Sequence, residues 1–124
     1  MRACVIVGTT ALLLVVLYVA LARQSGGPAP GPKTFQIALR DGHLVSSPAV
    51  FDAVEGDVVT LSIISDKPAT LHVHEYEQQV VVNLNAGEQA VSSFTADRAG
   101  RFAVHVMGID LSHPEVAAIQ VHPR

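Results

Sequence analysis

The stretch TLHVHEY, residues 70–76, places two histidines two positions apart inside a run that otherwise reads as a β-strand. A neutral imidazole is the commonest protein ligand for late first-row metals, and two on one side of a strand supply two of the three or four donors such an ion takes. Strand alternation puts His72 and His74 on one side with Thr70 and Tyr76, and Leu71, Val73 and Glu75 on the other. A second stretch, RFAVHVM, residues 101–107, presents His105 and Met107 opposite Phe102, Val104 and Val106. It runs directly into the loop GIDLSHPE, which carries His113. If the two stretches are neighbours, His72 or His74, His105, Met107 and His113 converge.

The simpler account of an H-x-H pair is a wet strand face. His43, beside the Asp41-Gly42 turn, and His122, close to the mobile chain end, are assigned to the surface. Glu75 and Glu77 either orient an imidazole N–H or solubilise a loop, and the loop is the reading adopted for them. No enzymatic pattern stands out: Ser92 and Ser93 lack an elbow-like glycine setting, no Gly-rich loop precedes a helix, and the carboxylates are not paired. The chain is therefore expected to bind rather than catalyse. Its one cysteine, Cys4, leaves no disulfide for the domain.

The elements that must position these imidazoles follow from the spacing of turns. Asp41-Gly42, Glu55-Gly56-Asp57, Asp66-Lys67-Pro68, Asn85-Ala86-Gly87 and Arg98-Ala99-Gly100 divide residues 33–124 into short segments. Between them the apolar residues alternate: Phe35, Ile37 and Leu39; Val59, Leu61 and Ile63; Phe102, Val104 and Val106; Ala117, Ile119 and Val121. No helical period appears there. Short Val- and Ile-rich strands at this spacing predict an all-β domain, an antiparallel Greek-key β-sandwich, over residues 34–124.

Residues 1–23 differ in kind. The uncharged run Val5–Ala22 between Arg2 and Arg23 suits a transmembrane anchor or a signal peptide, with Ala20-Leu21-Ala22 resembling a cleavage site. Residues 24–33, rich in Pro and Gly, read as a spacer. Arg2 at the N-terminus favours a cytoplasmic start and a domain on the periplasmic side of the inner membrane, or secreted if the signal is cleaved. The chain has a formal net charge of −3, and all eleven acidic residues lie beyond the spacer, so nucleic acid is excluded as an expected partner.

From Phe35 to Pro123 the succession of residues resembles a cupredoxin. VFDAVEGDVVTLSIISD resembles the segment before the first ligand histidine, NLNAGEQAVSSFTADRAGRF the stretch leading to the metal loop, and AAIQVHP the closing strand. The resemblance implies His72 or His74 as the first histidine and His113 as the second. It places the ligand cysteine at Val106 and the axial methionine near Glu115, where neither residue type occurs, with His105 and Met107 as off-register substitutes. Without a thiolate a blue, type 1 centre is not expected.

The expectation drawn from all this is a cupredoxin-like domain that binds copper through His72, His74, His105 and His113 at a non-blue site. It would act as a carrier, sensor or accessory subunit, with the membrane reached through the N-terminal helix and a periplasmic protein as partner. The alternative is a metal-free β-sandwich that serves as an interaction module beside a membrane complex.

Overall fold

Each two-residue repeat can bury one face and wet the other, and the alternation read from the sequence folds accordingly into strands. The computed structural model describes residues 29–109 and 114–124. Over these the chain forms β1 (Pro32–Arg40), β2 (His43–Leu44), β3 (Val50–Val54), β4 (Val58–Ser65), β5 (Ala69–Val73), β6 (Val81–Leu84), β7 (Ala90–Thr95), β8 (Gly100–Met107) and β9 (Glu115–His122). No helix occurs among the described residues. The apolar run Val5–Ala22, on which the anchor or signal expectation rests, lies outside them, and so does His113. β1 starts at Pro32, inside the segment read as spacer.

The strands make two sheets, one ordered β2-β1-β4-β7 and the other β3-β9-β8-β5-β6. The all-β, two-sheet architecture agrees with the expectation, but the sheets are mixed and not purely antiparallel. β1 runs parallel to β4, and β3 runs parallel to β9. The chain leaves the first sheet after β2, contributes β3 to the second and returns with β4, and a crossover of this sort is what parallel pairing needs. A period-two pattern reports which face a residue takes and not which strand it meets.

Ile37, Leu39, Val59, Leu61, Ile63 and Phe94 are buried from one sheet, and Leu71, Val73, Phe102, Val104, Val106, Ile119 and Val121 from the other. Burying each Val, Leu, Ile or Phe contributes roughly 1.5–3 kcal/mol. Phe35 and Phe51 stack at 4.7 Å between ring centroids. Gly100 opens β8 at φ 146°, and a Cβ there would meet the Phe102 ring at 3.3 Å, so the Gly-x-Phe pattern has a steric cause.

One acidic side chain belongs to this interior. Asp57, in the turn between β3 and β4, is fully buried, and its two carboxylate oxygens accept from the Gly31 and Val54 amides at 2.8 Å each. Burial alone would raise its pKa; the two amides, helped by Lys33, outweigh burial and hold it below the ordinary carboxylate value.

Candidate metal centre

β5 lies between β6 and β8, antiparallel to both, in a register that sets His72 opposite His105 and Thr70 opposite Met107. Because Leu71, Val73, Val104 and Val106 fill the core, the alternate positions are turned to the outer face of the sheet. His72 and His105 are therefore half-buried outer-face neighbours, with Val81 of β6 on the other side of His72. Between Val104 and His105 the β8–β9 ladder shifts register, Val104 facing Ala117 and His105 facing Glu115, so the extra residue, Val116, stands on β9 and the alternation of β8 runs on through His105.

His72 Nε2 and His105 Nδ1 are 3.2 Å apart, and their rings meet edge to face with centroids 5.1 Å apart. One nitrogen donates and the other accepts. His74 follows the last residue of β5, its amide donating to the Ala103 carbonyl at 2.8 Å. Its ring lies 5.7 Å from that of His105. Three of the four histidines read from the sequence are thus brought together. Met107 is exposed on the same face, two residues beyond His105 and opposite Thr70.

Partial burial, followed by the neighbouring His72 and His74, pushes the His105 pKa below the ordinary imidazole value, against weaker opposite effects of Glu115 and Glu77. A neutral ring keeps a lone pair for a cation. Metal–imidazole bonds are about 2.0–2.1 Å, so two cis nitrogens on one ion stand roughly 2.9–3.4 Å apart, and the 3.2 Å pair fits that span. Among the described residues no set of three or more His, Cys, Asp or Glu already stands in metal-binding geometry. The distance suits a bite once the proton shared by the two nitrogens has moved to the far nitrogen of its ring, and the ring of His74 stands beside it.

Several readings are corrected here. Tyr76 does not share the histidine face: β5 ends at Val73, Glu75 takes φ 70°, and the turn carries Tyr76 into the core. There its ring packs on Phe94 and Phe102 at 4.7 and 5.0 Å, and its hydroxyl donates to Asp97 at 2.8 Å. Glu77 is more than a solubilising loop residue, because its Oε1 is 3.2 Å from His74 Nδ1. The H-x-x-E spacing of residues 74 and 77 is the signal that could have shown it. His122 is exposed, as the surface reading expects, and closes β9, its Nε2 lying 2.8 Å from Asp52 Oδ1 across the parallel pair. His43 is exposed beside its turn.

Sequence alone did not single out Arg98. Its guanidinium donates to the Glu75 carbonyl at 3.1 Å and lies over the Tyr76 and Phe102 rings at 5.3 and 5.7 Å. Where the resemblance puts a ligand cysteine, Val106 is buried in the core. Cys4 lies outside the described residues.

No family model and no curated protein matches the chain. Solved structures do. An apo-form copper binding protein, solved by NMR, superposes with a TM-score of 0.58 at 16% identity, covering 77% of this chain and 93% of its own. A chain from a heme-copper terminal oxidase dimer superposes with a TM-score of 0.60 at 16% identity, over 92% of this chain and 95% of its own. The blue copper oxidase from Nitrosomonas europaea gives 0.59 at 17% identity, over 76% of this chain and 39% of that one. At these identities the likeness is one of fold.

Proposed function

The chain carries a cupredoxin-like sandwich without the family's thiolate, and on that premise we propose that it binds copper at a non-blue imidazole site on the outer face of β5 and β8. The carrying observation is the 3.2 Å spacing of His72 Nε2 and His105 Nδ1 with His74 alongside. His72, His105 and His74 would hold the ion, joined by His113 from the following loop. Copper would supply a Lewis-acidic cation, with Met107 as a soft donor for Cu(I). The chain's own part is to hold the imidazoles together on one face of the sheet, open to solvent, as suits a carrier, sensor or accessory subunit better than an enzyme. We place the domain on the periplasmic side of a membrane, tethered by Val5–Ala22.

A second reading, a metal-free accessory module beside a membrane complex, draws support from the oxidase chain, which matches this one over nearly the whole of both. Titration of the full chain in detergent micelles with Cu(II), with bound metal counted and electron paramagnetic resonance recorded, separates the two. One tightly held equivalent whose nitrogen hyperfine structure is lost in a His72→Ala/His105→Ala variant supports copper binding. Weak, non-stoichiometric uptake indifferent to that variant overturns it in favour of the accessory module.

A further inference from the structure

We propose that Glu77 is a positioning residue, fixing His74 in the tautomer with a bare Nε2 and so making it the third imidazole donor, beside His72 and His105, for Cu(II) or Zn(II). The identity of the cation rests on the reading above; the tautomer rests on geometry alone.

Glu77 Oε1 lies 3.2 Å from His74 Nδ1. An ionised carboxylate can only accept, so the proton of a neutral His74 must sit on Nδ1, and the lone pair is left on Nε2. A glutamate carboxyl at neutral pH is ionised. An exposed ion pair three residues apart is ordinarily worth little, since two free side chains must be held in one geometry. Here the backbone between them is already fixed. The His74 amide is bonded to Ala103, the Glu75 carbonyl to Arg98, and the buried Tyr76 ring to Asp97 through its hydroxyl.

Glu77 thus stands to His74 as carboxylates commonly stand to metal-bound histidines, setting which ring nitrogen faces the ion. His105 has a carboxylate nearby as well: Glu115 is its partner across the β8–β9 ladder and is tied to Arg101 at 2.6 Å. Among the described residues, Glu77 is the carboxylate that touches an imidazole nitrogen of the cluster.

The test is long-range proton–nitrogen correlation NMR on the metal-stripped full chain in micelles at neutral pH, with Glu77→Ala and Glu77→Gln alongside. His74 is expected to show a protonated Nδ1 and a bare Nε2 and to exchange between tautomers in Glu77→Ala; Glu77→Gln, whose amide can accept from Nδ1–H or donate to a bare Nδ1, should hold the tautomer less firmly than wild type. Titration with Cu(II) alone and with Zn(II) alone should show Glu77→Ala binding about 10–100-fold more weakly than wild type, with Glu77→Gln between the two. Wild-type affinity in Glu77→Ala, or a His74 tautomer indifferent to that change, overturns the proposal while leaving copper binding intact. A fixed tautomer in a chain that takes up neither cation overturns the donor role together with the copper reading.

Discussion

Replacing Asp57 by asparagine should remove a large part of the domain's stability although the two side chains are nearly the same size. Both carboxylate oxygens accept a backbone N–H at 2.8 Å, from Gly31 and from Val54, in a fully buried position. Asparagine offers one oxygen, so its NH₂ group must face the second amide. One charge-assisted bond is lost, at roughly 1.5–3 kcal/mol, and a buried donor is left unmet, so the substitution costs about 3 kcal/mol or more. A domain of this size has about 5–14 kcal/mol in all, and the Tm should fall by about 12–24 °C. Acid supplies an internal control. The native pKa of Asp57 lies below its unfolded value, so its contribution is whole above about pH 5 and fades as pH falls through the unfolded and then the native pKa. The Asp57→Asn variant has no such contribution, and the gap between the two proteins must narrow with acidification. Urea unfolding followed by far-UV circular dichroism at pH 6 and pH 3.5 measures both quantities. A gap below about 1 kcal/mol at pH 6, or one that does not shrink at pH 3.5, refutes the reasoning.

Glu75→Gly should stabilise the fold by up to about 1 kcal/mol in chemical denaturation, because φ 70° strains a residue with a Cβ more than it strains glycine. Tyr76→Phe keeps the ring contacts with Phe94 and Phe102 but loses the hydroxyl bond to Asp97, a loss of about 1 kcal/mol by the same measurement. Cu(II) at about 100 times its Kd should add about 2.7 kcal/mol and raise the Tm by about 10–20 °C in a thermal scan, reversed by a chelator.

The inner faces were legible because burial imposes the period of two that hydropathy records. The alternating sets read from the sequence, Val59-Leu61-Ile63 and Phe102-Val104-Val106 among them, lie in the core, Phe35 alone being partly buried against it. The neighbourhood of His72 and His105 was legible only as a condition, since register is fixed by contacts distant in sequence and no local pattern states it. Tyr76 went wrong for a related reason: alternation was extended past Val73, where a left-handed residue reverses the chain. Asp57 was hidden because a Glu-Gly-Asp turn resembles any solvated turn, and its burial depends on two amides, one of them 26 residues away.

The imidazoles and the core occupy opposite faces of the same strands, so binding and stability should be separable by substitution. His72→Thr/His105→Val keeps good strand formers at both sites and deletes one imidazole–imidazole hydrogen bond, so it should change stability by no more than about 1 kcal/mol. Val104→Ala, one residue away and turned into the core with no exposed surface, should cost about 2 kcal/mol through the cavity it leaves. Metal uptake should respond in the reverse order, abolished in the first protein and retained in the second once each is measured in its folded state. Should the double variant unfold, the half-buried rings are part of the packing and the outer face cannot be treated as a surface free to hold an ion. Should Val104→Ala lose the metal while still folded, the site depends on the packing beneath β8 more than on the imidazoles themselves.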